Sequence, residues 1–183
     1  MSCVKRGSPI TPTANHEAVA EHALALLFAL AKNVVLNDRR TRQGHWRAGL
    51  HIPIRGQTLG IVGLGRIGRS LAVRATALGM KLLVAETAPD PKFVEQHGIQ
   101  LVSLDELLGR ADFVSVHCPL TAETRCLFNR DTLAKMKRGA LFINTARGGL
   151  VAERDLYEAL TSGHLGGAAL DVFAGEPILA PHR

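Results

Sequence analysis

The chain has 183 residues, of which 46% are hydrophobic and 4% aromatic, enough for one well-buried α/β domain and short for two. A formal net charge of +6 raises nucleic acid as a partner, but the dense basic stretch Arg39-Arg40-Thr41-Arg42-Gln43-Gly44-His45-Trp46-Arg47 reads as a solvated loop at the negative end of a helix, so that partner is set aside. Three cysteines, Cys3, Cys118 and Cys126, form no C-x-x-C pair and fit a reducing cytoplasm, while the longest apolar run, 23–31, is too short for a membrane span and badly placed for an export signal.

The first predicted element is one helix over 16–36. Val19, Ala23, Leu26, Leu27, Leu30 and Val34 recur at helical spacing and cover most of its circumference, so it is expected to pack against something large. His16 and His22 lie on that helix six residues apart, about 240° around the axis from each other, which rejects a zinc pair and leaves no predicted metal site. A loop with Gly44, Gly49, Pro53 and Gly56 follows. Beyond it strands (59–62, 82–85, 113–117, 140–144, 168–171) alternate with helices (67–78, 93–97, 104–108, 130–136, 153–161). The strands read as continuous apolar runs, as strands covered on both faces do. The predicted fold is a doubly wound parallel sheet of Rossmann type.

The first strand runs straight into Gly63-Leu64-Gly65-Arg66-Ile67-Gly68. Gly63 permits the tight turn, Gly65 lets backbone N–H groups approach phosphates, and Gly68 lets the next helix pack on the sheet with its positive end toward the anion. Glu86 ends the second strand 18 residues past Gly68, near the spacing expected of a carboxylate that grips the adenosine ribose. Strand, turn, helix and acid agree on a dinucleotide site, and Glu86 followed by Thr87, with no compensating cation, favours NAD over NADP.

Ligands of such sheets lie beyond the carboxyl ends of the strands. Strand 113–117 ends in Cys118-Pro119, where proline turns the chain off the sheet and can wall a pocket. Strand 140–144 ends in Thr145-Ala146-Arg147-Gly148-Gly149, a guanidinium able to hold a carboxylate bidentately. Strand 168–171 ends in Asp171, with Glu176 close behind: one carboxylate could bind a nicotinamide amide and the other could tune a histidine.

These motifs resemble those of the D-isomer-specific 2-hydroxyacid dehydrogenases, most closely the D-3-phosphoglycerate dehydrogenase branch that serves serine biosynthesis. The resemblance covers nearly everything from Pro12 to Pro177: Pro12-Thr-Ala-Asn15, Val19-Ala-Glu-His22, the loop 63–68, His117-Cys-Pro-Leu-Thr121, Asn144-Thr-Ala-Arg-Gly-Gly149, and Gly167-Ala-Ala-Leu-Asp-Val-Phe173 reaching Glu176-Pro177. It implies that NAD contacts Gly63, Gly65, Arg66, Ile67 and Gly68, then Glu86 at the ribose. His117, Cys118, Pro119 and Thr124 would follow at and beyond the end of the 113–117 strand, and Thr145, Ala146, Arg147 and Asp171 would lie toward the nicotinamide. It further implies that Arg147 binds and polarises a small 2-oxo acid, and that Glu176 raises the pKa of a histidine that exchanges a proton with the substrate.

In the family that histidine belongs to a Pro-His pair considerably farther past Glu-Pro, whereas here Pro181-His182 comes six residues after Glu176. Either a loop is shortened and His182 is the catalytic acid/base, or His182 only mimics the motif. Ala152 stands where an acid is common. The expected organisation is a remnant of the substrate domain or a linker over 1–12, the NAD-binding domain over 13–177 and a tail over 178–183, with the substrate domain largely absent. A homodimer through the first helix is expected, as in the family. The alternatives are a glyoxylate or hydroxypyruvate reductase, and a non-catalytic NADH-sensing protein of the corepressor kind.

Overall fold

The structure is a computed structural model that describes residues 15–46 and 51–176, so His182 and the 178–183 tail lie outside the described residues, as do Cys3 and the motif residues 12–14. Six strands form, β1 Thr58–Val62, β2 Lys81–Ala85, β3 Gln100–Leu101, β4 Phe113–Val116, β5 Leu141–Asn144 and β6 Gly167–Leu170. Every pairing is parallel and the order is β3-β2-β1-β4-β5-β6, the doubly wound arrangement expected. The order reverses between β1 and β4, which opens a crevice at their carboxyl ends.

The continuous apolar runs are explained by two cores. Leu59, Ile61, Val84, Phe113, Leu141 and Ile143 face one core, while Val62, Leu83, Val114, Val116 and Phe142 face the other. Side chains alternate across a strand, so a strand with a core on each side is apolar throughout. The first core is closed by α1 (Asn15–Ala31), α3 (Arg66–Ala77) and α4 (Pro91–Gln96), the second by α5 (Leu104–Arg110), α6 (Arg130–Ala134) and α7 (Glu153–Thr161). Local chemistry sets several starts. Asp90 and Ser103 cap α4 and α5, and Asn129 with Thr132 forms a capping box on α6.

The first helix departs from expectation. It stops at Ala31, Asn33 adopts a left-handed conformation with φ of 51°, and a second helix, α2 (Val34–Arg42), leaves at 56° to the first. Asparagine tolerates this backbone better than most residues, so two polar positions suffice to break the helix. Arg39, Arg40 and Arg42 therefore sit in the last turn of a helix and not in a loop, where they still favour its negative end. Val34 is 52% exposed and does not join the buried stripe. Ala20, Ala23, Leu27 and Ala31 are buried inside this chain, where α1 packs on α3, β5 and β6. The large surface that α1 needed is its own sheet. No single helix is long and apolar enough to cross a membrane. The two-residue edge strand β3 was not anticipated, and several helix ends differ from the predicted ones by a residue or two.

Candidate functional site

At the tip of β1 the chain turns through Gly63, whose φ is 99° and where an added Cβ would lie 2.5 Å from the Cys118 nitrogen. Only glycine fits that turn. An added Cβ at Gly68 would overlap the Gly63 carbonyl oxygen, so Gly68 is what lets α3 sit against the turn. Gly65 differs from both. It is the N-cap of α3 with an ordinary extended backbone, no side chain caps the helix, and a Cβ there would meet nothing within 4 Å. The first N–H groups of α3, from Arg66, Ile67 and Gly68, thus open beside an empty approach, as a phosphate requires.

Glu86 closes the other side of the loop. Its carboxylate accepts N–H groups from Leu64 (2.6 Å), Thr87 (2.8 Å) and Ala88 (3.0 Å) and the Thr87 hydroxyl (3.3 Å). Burial works to raise its pKa, but the donors from Ala88, Leu64 and Thr87 outweigh it and hold the group below the ordinary carboxylate value. Glu86 is therefore an ionised acid beside a cavity of about 600 Å³ that Gly63, Val102, Leu104, Cys118, Pro119, Thr124 and Leu127 also line. Thr124 shapes that wall by donating its hydroxyl to the Pro119 carbonyl, 2.7 Å. Burial pushes the Cys118 thiol above its ordinary value, so it acts as a small apolar wall.

The strand tips at the centre of the crevice carry unused polar atoms. His117 bonds Ser115 Oγ through Nε2 at 2.8 Å, while its buried Nδ1 has no partner among the described residues. Burial lowers its pKa to about 4, so the ring is neutral at physiological pH. Val116 pairs with Asn144, which makes His117 and Thr145 neighbours past the strand ends, and Thr145 Oγ1 is likewise buried and unpartnered. Open space at Gly65, an uncapped helix, a fixed carboxylate and two orphaned polar atoms on one edge fit a dinucleotide laid across the crevice.

Asn144 builds the next part of the site. It is fully buried at the end of β5, accepts the Ala146 N–H (3.0 Å) and donates to the Arg147 carbonyl (2.9 Å), clamping the turn that carries Arg147. Arg147 is exposed, and Nη1 donates to the Ala146 carbonyl at 2.6 Å. An added Cβ at Gly148 would overlap the backbone of Phe173 and Ala174, so this glycine lets the loop after β6 lie on the Arg147 turn. Glu176, which accepts the Phe173 N–H at 2.7 Å, thereby shares a cavity of about 350 Å³ with Arg147. Asp171 pairs with His22 at 3.3 Å, tying α1 to the tip of β6. The sequence brought Arg147, Glu176 and Asp171 to one edge but missed Asn144 and Arg125, which lines the same cavity. An Asx residue ending a strand just before a turn was the available signal for Asn144. Among the described residues no group of three or more His, Cys, Asp or Glu side chains could hold a metal.

Residues 24–183 match the family model described as D-isomer specific 2-hydroxyacid dehydrogenase, NAD binding domain. The chain is 46% identical over 168 residues to D-3-phosphoglycerate dehydrogenase of Mycobacterium tuberculosis, covering 91% of this chain and 32% of that protein. It is 43% identical over 182 residues to a glyoxylate reductase of Korarchaeum cryptofilum, covering 95% and 55%. Among solved structures it is similar to D-lactate dehydrogenase from Aquifex aeolicus complexed with NAD and lactic acid, with 36% identity, a TM-score of 0.87, and coverage of 92% of this chain and 51% of that one. The chain spans between about a third and about half of the length of these relatives.

Proposed function

Since this chain belongs to the D-isomer-specific 2-hydroxyacid dehydrogenase family and carries its NAD-binding domain, we propose that it is the cofactor half of an oxidoreductase acting on the CH–OH group of a D-2-hydroxy acid. D-3-phosphoglycerate is our first substrate, in a reaction serving serine formation, in line with the relative from M. tuberculosis. A glyoxylate or hydroxypyruvate reductase is the second reading, favoured by the relative from K. cryptofilum. The observation that carries the proposal is the single edge on which the open α3 N-terminus, Glu86, Arg147 and Glu176 all lie.

Bound on that edge, NAD supplies the hydride acceptor, or NADH the donor, for C2 of the substrate. The N–H groups of Arg66, Ile67 and Gly68 would hold the pyrophosphate, and the ionised Glu86 would accept from the adenosine ribose hydroxyls and repel a 2′-phosphate. His117, Cys118, Pro119 and Thr124 would wall the adenosine side of the crevice, while Thr145, Ala146 and Asp171 would face the nicotinamide side. Arg147 would fix the substrate carboxylate with its fork and polarise the neighbouring oxygen. Glu176 would stabilise the protonated form of an acid/base histidine, a role for which His182 is the candidate.

We further propose a cytoplasmic homodimer. Val34, Val35 and Leu36 in the first turn of α2 are 52%, 65% and 42% exposed, apolar area of the kind a second copy covers. Sedimentation showing a stable monomer at micromolar concentration would rule the dimer out. The function itself is tested by titrating the NAD-loaded chain with D-3-phosphoglycerate and hydroxypyruvate. Saturable binding that Arg147→Gln weakens about tenfold or more is expected, the worth of a charge-assisted pair. Binding of NAD without any response to 2-hydroxy or 2-oxo acids would instead favour a cofactor-sensing protein.

A further inference from the structure

The cavity that holds Arg147 and Glu176 contains a second guanidinium, that of Arg125, to which the reading above gives no task. Arg125 sits on the turn after β4. Its own N–H donates to the Thr121 carbonyl (3.1 Å), and the N–H of the next residue, Cys126, donates to the Gly149 carbonyl (2.9 Å). The turn is thus stitched to the segment that follows Arg147. A Cβ built on Gly149 would lie 3.8 Å from Arg125 Nη1 and 2.9 Å from the end of Leu120, so the guanidinium rests on the Arg147 turn with Leu120 beside it. The absence of a side chain at Gly149 is what leaves room for Leu120, and Arg125 lies at ordinary contact distance beside it.

The charges do not balance. Among the described residues Arg125 and Arg147 make no ion pair, and Glu176, the carboxylate lining this cavity, already accepts the Phe173 N–H. Two guanidiniums face one carboxylate. If Arg147 takes the carboxylate of the substrate and Glu176 serves the acid/base histidine, the positive charge of Arg125 is left at the same cavity with no counter-charge among the described residues. An arginine fork is well suited to a phosphate or a second carboxylate, which it can hold through two parallel hydrogen bonds.

We propose that Arg125 is a specificity-determining residue that binds a second anionic group at the end of the substrate away from its 2-hydroxy acid group, and so selects 2-hydroxy acids that carry a second anionic group over those that carry the carboxylate alone. The inference rests on the function proposed above. Discrimination would come from a guanidinium that the shorter acid leaves unpaired, in addition to the hydrogen bonds the longer one gains.

The test is calorimetric titration of the NAD-saturated chain with 3-phosphoglycerate, D-malate and D-glycerate, on the wild type, Arg125→Gln and Arg125→Lys. The wild type is expected to bind 3-phosphoglycerate about tenfold or more tightly than D-glycerate, and Arg125→Gln to bring that ratio close to one while affinity for NAD and for D-glycerate stays within about twofold. Arg125→Lys should restore part of the preference, since a point charge replaces a fork. D-malate separates the two sources of the charge. Affinity matching 3-phosphoglycerate supports recognition of any second anion, and weaker affinity supports a phosphate. Equal wild-type affinities, no binding of 3-phosphoglycerate or D-malate at millimolar concentration, or an unchanged ratio in Arg125→Gln would each overturn the proposal. Loss of NAD binding by the wild type itself would overturn the underlying reading, and the proposal with it.

Discussion

The two ends of the crevice are built differently. At the end proposed for adenosine the glycine loop and Glu86 come from one contiguous stretch, 58–88, and are locked by backbone: Gly63 is filled by the main chain of His117 and Cys118, Gly68 by that of Gly63, and Glu86 is held by three N–H groups. At the other end Arg147, Glu176 and Arg125 come from three separate loops, are exposed, and find no ion-pair partner among the described residues. A preorganised site binds without further ordering, whereas exposed charges on loops await a ligand or another part of the protein to fix them. The cofactor end should therefore work in this chain alone, and the substrate end only weakly.

The sharpest way to break that contrast is Gly65→Val. The position has ordinary backbone and open space, so the fold should tolerate valine, while the side chain fills the approach to the phosphates. NADH affinity should fall by about a hundredfold or more, roughly 3 kcal/mol, with Tm lowered by no more than a few degrees for the poorer N-cap. Unchanged affinity on calorimetry would contradict the pyrophosphate assignment.

His117 comes next, because its pKa of about 4 in the fold lies below the ordinary 6.5 of the unfolded chain. As pH falls the unfolded chain takes up the proton first, so the stability linked to His117 is complete above 6.5 and is lost progressively toward 4. The loss should approach about 3 kcal/mol, and His117→Asn should show that much less acid destabilisation by denaturant unfolding at pH 7 and pH 4. Equal pH dependence of the two proteins would show that the ring is not buried neutral.

Gly148→Ala probes the other end. The new methyl must push the 173–174 backbone off the Arg147 turn, costing about 1–3 kcal/mol and weakening 2-hydroxy acid binding, with NADH affinity largely kept. A parallel loss of NADH affinity would mean that the two ends are one unit. Glu86→Ala should weaken NAD binding and shift the NAD to NADP preference by about tenfold toward NADP, since the hydrogen bonds and the repulsion are both removed. An unmoved preference would take Glu86 out of ribose recognition.

The smallest effect is expected at Ala152, the N-cap of α7, which supplies no side-chain cap. Ala152→Asp should raise stability by about 1 kcal/mol in chemical denaturation. No gain would mean that the α7 start, just past the Arg147 turn, already has its N–H groups satisfied in another way.

The same contrast governs what could be read from the sequence. The loop 63–68, its strand, its helix and Glu86 were legible because every determinant is local and each residue type has one task. Arg147 and Glu176 were legible as strand-end residues, but the cavity they share depends on Gly148 accepting the 173–174 backbone, which no local pattern reveals. Arg125 was illegible because its neighbour is Gly149, brought close by tertiary folding. The break at Asn33 was hidden by an apolar pattern that continues through Val34, and β3 by having two exposed residues, Gln100 and Leu101. Tertiary pairing, not propensity, makes that strand.

The most direct test of the account titrates the 183-residue chain alone with NADH by calorimetry and assays the same sample for hydroxypyruvate reduction. Saturable binding of about one NADH per chain is expected, with turnover far below the order of 10 per second of an ordinary enzyme. Absence of NADH binding, or turnover at that ordinary rate, would contradict a cofactor end that is complete beside a substrate end that is not.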